Sequence, residues 1–175
     1  AKYQGRLTFN PAVHVDPIMT VVVPFLFYIS MGVFFGGAKP VPINPLNFKN
    51  PDKGMMISSL AGPLTNVLIA LFFSVLVVIA GSLKMHDSPA FFLFISCTLL
   101  NFLLAFFNLI PIPPLDGSRV LRFFMPGDIK RGMDRMERFG LLIIMLIFLT
   151  PVGRPIFSAF EAFIQWYLSK IIPVP

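Results

Sequence analysis

The chain has 175 residues, of which 56% are hydrophobic and 13% are charged, and its mean hydropathy is +0.81. A soluble domain carries about 25% charged residues, so this composition excludes an ordinary water-soluble fold. We attribute the net charge of +6 to basic loops facing the cytoplasm and anionic headgroups, and we expect membrane lipids, not nucleic acid, as partners. The sequence predicts an all-α polytopic membrane protein with a single membrane domain over residues 1–175.

The first third of the chain contains short polar segments around one apolar run. Residues 1–17 are polar with a brief alternating stretch closed by Asn10, which predicts a strand and a turn. Residues 18–35 are apolar with a central proline, and they either cross the membrane or enter it and return. Residues 36–54 hold four prolines and three lysines, which predict an extended cytoplasmic loop that cannot be helical.

Longer apolar runs follow. Residues 55–83 would span about 43 Å as a helix, more than the hydrocarbon core of about 30 Å, so this helix must tilt or begin outside the core. A further span is predicted over residues 90–110. Residues 118–138 hold six of the fourteen basic residues and therefore mark the cytoplasmic side. Two more helices are predicted over 139–150 and 155–172.

Polar residues recur on both long helices. Ser58, Gly62 and Asn66 follow each other at four-residue spacing and give the first long helix a small polar face, which favours close packing of helices. Asn101 and Asn108 share a face of the next helix, and amides at membrane depth need hydrogen-bond partners. We expect these faces to join the two helices.

The segment NLIPIPPLDGSRV, residues 108–120, interrupts the second long helix. Prolines within 111–114 lack an N–H, so the helix cannot continue past about Ile110. Asp116 then lies just beyond the break, and a carboxylate at a helix centre costs about 2.5–3.5 kcal/mol on insertion scales. Two interpretations remain open: Asp116 serves a function at this depth, or it caps the helix that starts at Ser118.

A family resemblance bears on this choice. NLIPIPPLDG resembles the N-x-x-P-x-x-P-L-D-G signature of the site-2 protease family of intramembrane zinc metalloproteases, and AGPLTN at 61–66 matches its A-G-P-x-x-N segment. GRLTFNPAVHVDP at 5–17 and FGGAKPVPINPLNFKNPDKG at 35–54 look like loops of a short bacterial branch. The resemblance implies a site-2 protease-like core with a broken helix at the metal site and short extended segments in the loops.

The resemblance also implies roles for individual residues. Asp116 would be the third zinc ligand, and Asn108 would donate a hydrogen bond to the oxyanion formed during peptide hydrolysis. Gly62, Pro63 and Asn66 would pack the core helices. The backbone edge offered to an unwound substrate strand would be Lys39, Pro40, Val41, Pro42, Ile43 and Asn44.

The family's other two ligands and its general base lie on an H-E-x-x-H helix, which this sequence lacks. In related proteins that helix precedes the counterpart of residues 1–17, so we expect this chain to begin just after it. A degenerate homologue, or a first helix supplied by a second polypeptide, would also account for the absence. With one ligand and no base, the chain alone is expected to be inactive.

Two residues near the start offer a rival arrangement. His14 and Asp16 in HVDP could join Asp116 in a metal site within this chain. They could instead orient a true ligand or bond backbone groups in a turn.

The resemblance implies a zinc enzyme that hydrolyses a peptide bond of a single-pass membrane protein. We expect it in a bacterial inner membrane, with residues 118–138 cytoplasmic, alone or in a homo-oligomer or larger membrane assembly. The alternative is a non-catalytic scaffold or partner subunit that keeps the protease fold. A transporter would also use broken helices, but the sequence shows no inverted repeat.

Overall fold

The computed structural model describes residues 47–172 together with a few earlier positions. The chain divides into two compact units, Ala1–Asn47 and Phe48–Pro175, and nearly all described residues belong to the second. The predictions for residues 1–17, 18–35 and most of 36–46 lie outside the described residues, and the single membrane domain stays a prediction. The earlier described positions are Val21, Val22, Phe25, Ile29 and Asn44.

Helices make up the second unit, and the described residues contain no strand, which confirms the helical part of the predicted fold. Each helix lies within a few residues of an apolar run or basic segment in the sequence. They are α1 Pro51–Ser82, α2 Pro89–Leu109, α3 Asp116–Phe124, α4 Gly127–Glu137, α5 Gly140–Leu149 and α6 Arg154–Ile171, with a short 3-10 turn at Pro151–Gly153 before α6.

Helix α1 begins earlier than predicted. The extended loop was expected to reach residue 54, and this is wrong for its last four residues, because α1 starts at Pro51. The side chain of Asn50 accepts a hydrogen bond from the Lys53 N–H at 3.2 Å and so caps the helix. Proline suits the first helical position because its missing N–H has no partner there in any case.

Helices α1 and α2 form an antiparallel pair. Val77 and Ala80 of α1 are buried against Phe91 of α2, and the rings of Phe73 and Phe94 lie 6.2 Å apart. Of the small face predicted on α1, Ser58 and Asn66 are half-buried and Gly62 is exposed, while the fully buried side of α1 lies on neighbouring positions. These are Ser59, Pro63, Ala70, Ser74, Val77, Ala80 and Gly81.

Both long helices are long and apolar enough to cross a membrane, the two that meet this test among the described residues. Only 28% of the most apolar window of α1 and 22% of that of α2 is buried. The core helix of a soluble protein would bury most of this surface. Leu68 and Phe72 of α1 and Phe92 of α2 are instead exposed, as side chains facing lipid would be.

The basic segment 118–138 forms helices α3 and α4, which ion pairs attach to the start of α1. Arg122 on α3 donates to Asp52 on α1 and to Asp134 on α4, each at 2.9 Å. Lys130 of α4 also pairs with Asp52. The hydrogen bond with Asp134 raises the pKa of Arg122 further above its usual value. This ion-pair network places the start of α1 and the basic segment on one side of the molecule.

Helix α6 packs across the α1–α2 pair through aromatic side chains. The ring of Phe102 on α2 lies 4.7 Å from that of Tyr167 and 5.4 Å from that of Phe163, both edge to face. The Tyr167 hydroxyl donates to Ser74 Oγ of α1 at 2.8 Å, so its polar end is satisfied within the bundle. These contacts hold α6 against α1 and α2 on the side of α1 that carries Ser74.

Candidate functional site

The predicted helix break is present. Helix α2 ends at Leu109, and α3 begins at Asp116. The segment between them is closed by short hydrogen bonds, from the Ile112 N–H to the Ile110 carbonyl at 2.8 Å and from the Leu115 N–H to the Ile112 carbonyl at 2.9 Å. The prolines therefore end the helix while tight turns satisfy part of the backbone that they release.

Gly117 brings the start of α3 directly against the end of α2. A Cβ atom on Gly117 would lie 2.1 Å from the carbonyl oxygen of Leu109 and 2.6 Å from that of Ile110, so no side chain fits. Gly140 allows a similar approach of α5, because its Cβ would lie 2.4 Å from Cδ of Pro114. These two glycines fix the proline turn and with it the position of Asp116.

Asp116 does not cap the helix that it begins. The residue at the cap position of α3 is Leu115, and no side chain makes a capping hydrogen bond there. Ser118 is buried, and its hydroxyl donates to the Leu115 carbonyl at 2.7 Å. The capping interpretation of Asp116 is therefore wrong, and its carboxylate is directed elsewhere.

The Asp116 carboxylate faces helix α1. A Cβ atom on Gly62 would lie 3.6 Å from Oδ2 of Asp116, so the carboxylate rests against the surface that this glycine leaves bare. Gly62 follows Asp52 by ten residues, which corresponds to about 15 Å along the helix. The half-buried Asp116 thus lies well beyond the ion-pair network, towards the middle of α1.

The electrostatic surroundings of Asp116 disfavour an unpaired anion. Burial raises the pKa of Asp116, and the charge of Arg119 and the hydroxyl of Ser59 offset only part of this effect. Arg119 pairs with Glu137 at 2.9 Å, and Asp116 forms no salt bridge with any described residue. A partly desolvated carboxylate gains most from a cation placed directly beside it.

Ser59 is a polar residue at this place that the sequence analysis missed. Ser59 is 4% exposed, and within the described part of the chain its Oγ makes no well-formed hydrogen bond, although it lies close enough to Asp116 to lower the pKa of that carboxyl. Pro63, four residues later, has no N–H and deprives the Ser59 carbonyl of its usual helical donor. A serine four residues before a proline inside a helix was the signal available in the sequence.

Asn108 lies at the same height as Ser59. Fourteen residues separate Ser59 from Phe73 on α1, and fourteen separate Asn108 from Phe94 on α2, while the two rings are in contact. In an antiparallel pair, equal steps from a contact reach about the same height. Asn108 is half-buried in the last turn of α2, and its amide makes no hydrogen bond with the described residues.

Ser59, Gly62 and Asp116 thus lie together where α1 and α3 meet, Asn108 lies at about their height on α2, and we call these four residues the Asp116 site. It contains a negatively charged acceptor, the Asp116 carboxylate, and two groups able to donate hydrogen bonds, the Asn108 amide and the Ser59 hydroxyl. A carboxylate that can bind a cation, with hydrogen-bond donors beside it, could polarise and hold an oxygen atom of a substrate.

The remaining predicted site residues are placed as follows. Pro63 is buried and Asn66 is half-buried, at about the height of Asn101 by the same counting. Asn101 donates to the Cys97 carbonyl of its own helix at 2.8 Å, so the expectation that its amide joins the two helices is wrong. Asn44 is exposed, and its carbonyl accepts from the Asn47 N–H. Outside the described residues lie His14, Asp16, Lys39, Pro40, Val41, Pro42 and Ile43.

The described residues of the Asp116 site offer one carboxylate that could serve as a metal ligand. A half-buried carboxylate without a paired cation, next to an orphaned hydroxyl, suits one position in a metal coordination shell. Residues 47–172 contain no group of three or more His, Cys, Asp or Glu side chains able to hold a metal. Asp116 would therefore be one ligand, with the others supplied from outside the described residues.

The fold and site define a helical protein with two helices of membrane-spanning length and a carboxylate held at a proline-broken helix end. Comparison with known proteins agrees: the family model described as Peptidase family M50 matches residues 76–151. The chain belongs to this family, which is the site-2 protease family that the sequence motifs resemble. No solved structure matches the chain significantly.

Several relatives carry the name "putative zinc metalloprotease", and two of them illustrate the match. YwhC of Bacillus subtilis is 35% identical over 158 residues, which cover 87% of this chain and 69% of YwhC. Rip2 of Mycolicibacterium smegmatis is 29% identical over 153 residues, covering 85% of this chain and 55% of Rip2. The matched region is thus most of this chain but only part of either relative.

Replacing Gly117 by alanine should disturb the site through the backbone. The new methyl group would meet the Leu109 carbonyl, which cannot rotate away, so we expect a loss of about 1–3 kcal/mol of unfolding free energy. Thermal unfolding in detergent would measure it. Gly132→Ala is the matched control, because a Cβ there meets nothing within 4 Å and alanine favours a helix interior by up to about 1 kcal/mol. Equal stability of the two variants would contradict the packing described for Gly117.

Proposed function

We propose that this chain forms the part of an intramembrane zinc metalloprotease that contributes one metal ligand and an oxyanion donor. The observation that carries the proposal is the half-buried Asp116 carboxylate, held at the end of a broken helix against α1 with no cation paired to it. Membership of Peptidase family M50 and the zinc metalloprotease names of its relatives support the same chemistry.

The residues of this chain would have separate roles in the reaction. Asp116 would hold Zn²⁺ with ligands from outside the described residues, and its negative charge would offset part of the charge on the metal. When bound, Zn²⁺ supplies Lewis-acid activation of water and of the scissile carbonyl. Asn108 would donate a hydrogen bond to the oxygen that becomes negative as the carbonyl is attacked. Gly117 and Gly140 hold the turn that keeps Asp116 in place.

The proposed substrate is a single-pass membrane protein, cleaved near the cytoplasmic face. Two helices of membrane-spanning length, α1 and α2, and the basic segment on the side where α1 starts support this placement. Residues 39–44 would pair with a substrate segment unwound into a strand. The proposed location is a bacterial inner membrane, with residues 118–138 in the cytoplasm.

Metal content and metal removal test the proposal. We expect full-length protein purified in detergent to contain about one zinc per chain and to cleave a membrane-spanning reporter. Removal of the metal by a chelator should abolish cleavage, and added Zn²⁺ should restore it, because the reaction needs the metal. A folded full-length protein that binds no zinc would reject the proposal and favour a non-catalytic scaffold.

A further inference from the structure

Ser59 is the buried hydroxyl of α1 without a well-formed hydrogen bond among the described residues, while Ser58, which also has none, is only half-buried. Thr65, Ser74 and Ser82 each donate to the carbonyl four residues earlier, at 2.7, 2.7 and 2.9 Å. This bond is open to any serine in a helix and is the usual way to satisfy a hydroxyl in apolar surroundings. Ser59 is 4% exposed and yet makes no well-formed hydrogen bond within the described residues. An orphaned hydroxyl of this kind costs free energy unless a partner arrives later.

The position of Ser59 indicates what that partner is. Ser59 precedes Gly62 by three residues, so the two lie next to each other on α1. Gly62 is the residue against which Oδ2 of Asp116 rests, and Asn108 is at the height of Ser59. The Asp116 carboxylate is therefore the nearest acceptor with a charge, and a carboxylate oxygen accepts from a hydroxyl more strongly than a neutral oxygen does.

We infer that Ser59 is a positioning residue for Asp116: its hydroxyl donates a hydrogen bond to one carboxylate oxygen and leaves the other oxygen for the metal. The inference rests on the proposed function. Hydrogen bonds to ligating carboxylates orient the ligand and tune the metal, and their loss lowers metal affinity about 10- to 100-fold. The Ser59 hydroxyl already lowers the pKa of the Asp116 carboxyl without meeting full hydrogen-bond geometry, and catalytic hydrogen bonds of this kind tighten in the working complex.

Ser59→Ala in the full-length protein tests this inference, with Ser58→Ala as the control. Ser58 is the adjacent serine of the same helix, but it is only half-buried. We expect Ser59→Ala to weaken zinc binding about 10- to 100-fold in competition with a chelator, and to alter the visible absorption of the Co²⁺-loaded protein. Ser58→Ala should change neither. In steady-state cleavage, Ser59→Ala should lower kcat and leave KM unchanged.

Stability without metal separates positioning from structure. Since the hydroxyl makes no well-formed hydrogen bond with the described residues, Ser59→Ala should leave the melting temperature of the metal-free protein unchanged or raise it. A lower melting temperature would show that Ser59 has a structural hydrogen bond, and zinc affinity within twofold of wild type would show that it does not act on Asp116. Either result overturns the inference. The inference alone fails if the wild-type protein and the Ser59→Ala variant both bind zinc normally while the Asp116→Ala variant does not. If wild-type protein binds none, the proposed function fails with it.

Discussion

Replacing Asp116 by alanine is expected to lower zinc affinity by more than about 100-fold, above the range for losing a residue that only supports a ligand. Cleavage should fall below detection at ordinary zinc concentrations. Among the described residues of the Asp116 site, Asp116 supplies the carboxylate. Ser59 and Asn108 are neutral and cannot replace a charged ligand. Zinc per chain, measured by mass spectrometry of purified full-length protein, checks the result.

The same substitution should not destabilise the metal-free protein. Burial raises the pKa of Asp116, and its carboxylate has no salt bridge within the described residues, so its removal takes away a desolvated group. Asp87→Ala is the control, because Asp87 is an exposed carboxylate in the turn between α1 and α2. Zinc stoichiometry that stays the same after Asp116→Ala would remove Asp116 from the ligand set and leave the site without its central residue.

The long helices and the break between them could be predicted because each has a local cause. Apolar runs of membrane-spanning length fix α1 and α2, and prolines that lack an N–H fix the end of α2 near Leu109. The placement of Asp116 immediately beyond that break follows from the same segment. The direction in which the Asp116 carboxylate points could not be predicted. Whether a carboxylate caps its own helix or faces another helix depends on the geometry of the turn.

The packing face of α1 could not be predicted from spacing alone. Ser58, Gly62 and Asn66 form one small face, and Ser59, Pro63 and further small residues form another, about 100° away around the helix. The two small faces give similar patterns in the sequence, and their use depends on which helices pack on each: α6 contacts Ser74 on one, and Asp116 of α3 contacts Gly62 on the other.

A helix starting at Ser118 was considered, but the packing of α3 and α4 against α1 could not be predicted, for a different reason. Both helices are amphipathic, but the ion pairs that hold them reach back to Asp52, seventy residues before Arg122. A contact at that separation leaves no periodic signal in the basic segment. The sequence could indicate which side of the membrane the segment faces, through its charge, but not that it folds against the start of α1.

Replacing Asn108 by alanine is expected to leave zinc bound and to lower kcat about 100- to 1,000-fold, the usual effect of removing one oxyanion donor. Asn108 lies in the last turn of α2 at the height of Ser59, and its amide makes no hydrogen bond with the described residues, so it is available to a substrate. Steady-state cleavage of a membrane-spanning reporter in detergent, with zinc content measured on the same samples, gives both quantities.

Asn101→Ala is the matched control for Asn108→Ala. Asn101 lies two turns earlier on α2, and its amide is already bonded to the Cys97 carbonyl, so its loss should leave kcat nearly unchanged. Loss of zinc from Asn108→Ala would reassign Asn108 to metal binding or folding. Equal turnover of the two variants would mean that the amide at the helix break does not meet the reacting carbonyl. The proposed chemistry would then need an oxyanion donor from outside the described residues, because the Ser59 hydroxyl is assigned to Asp116.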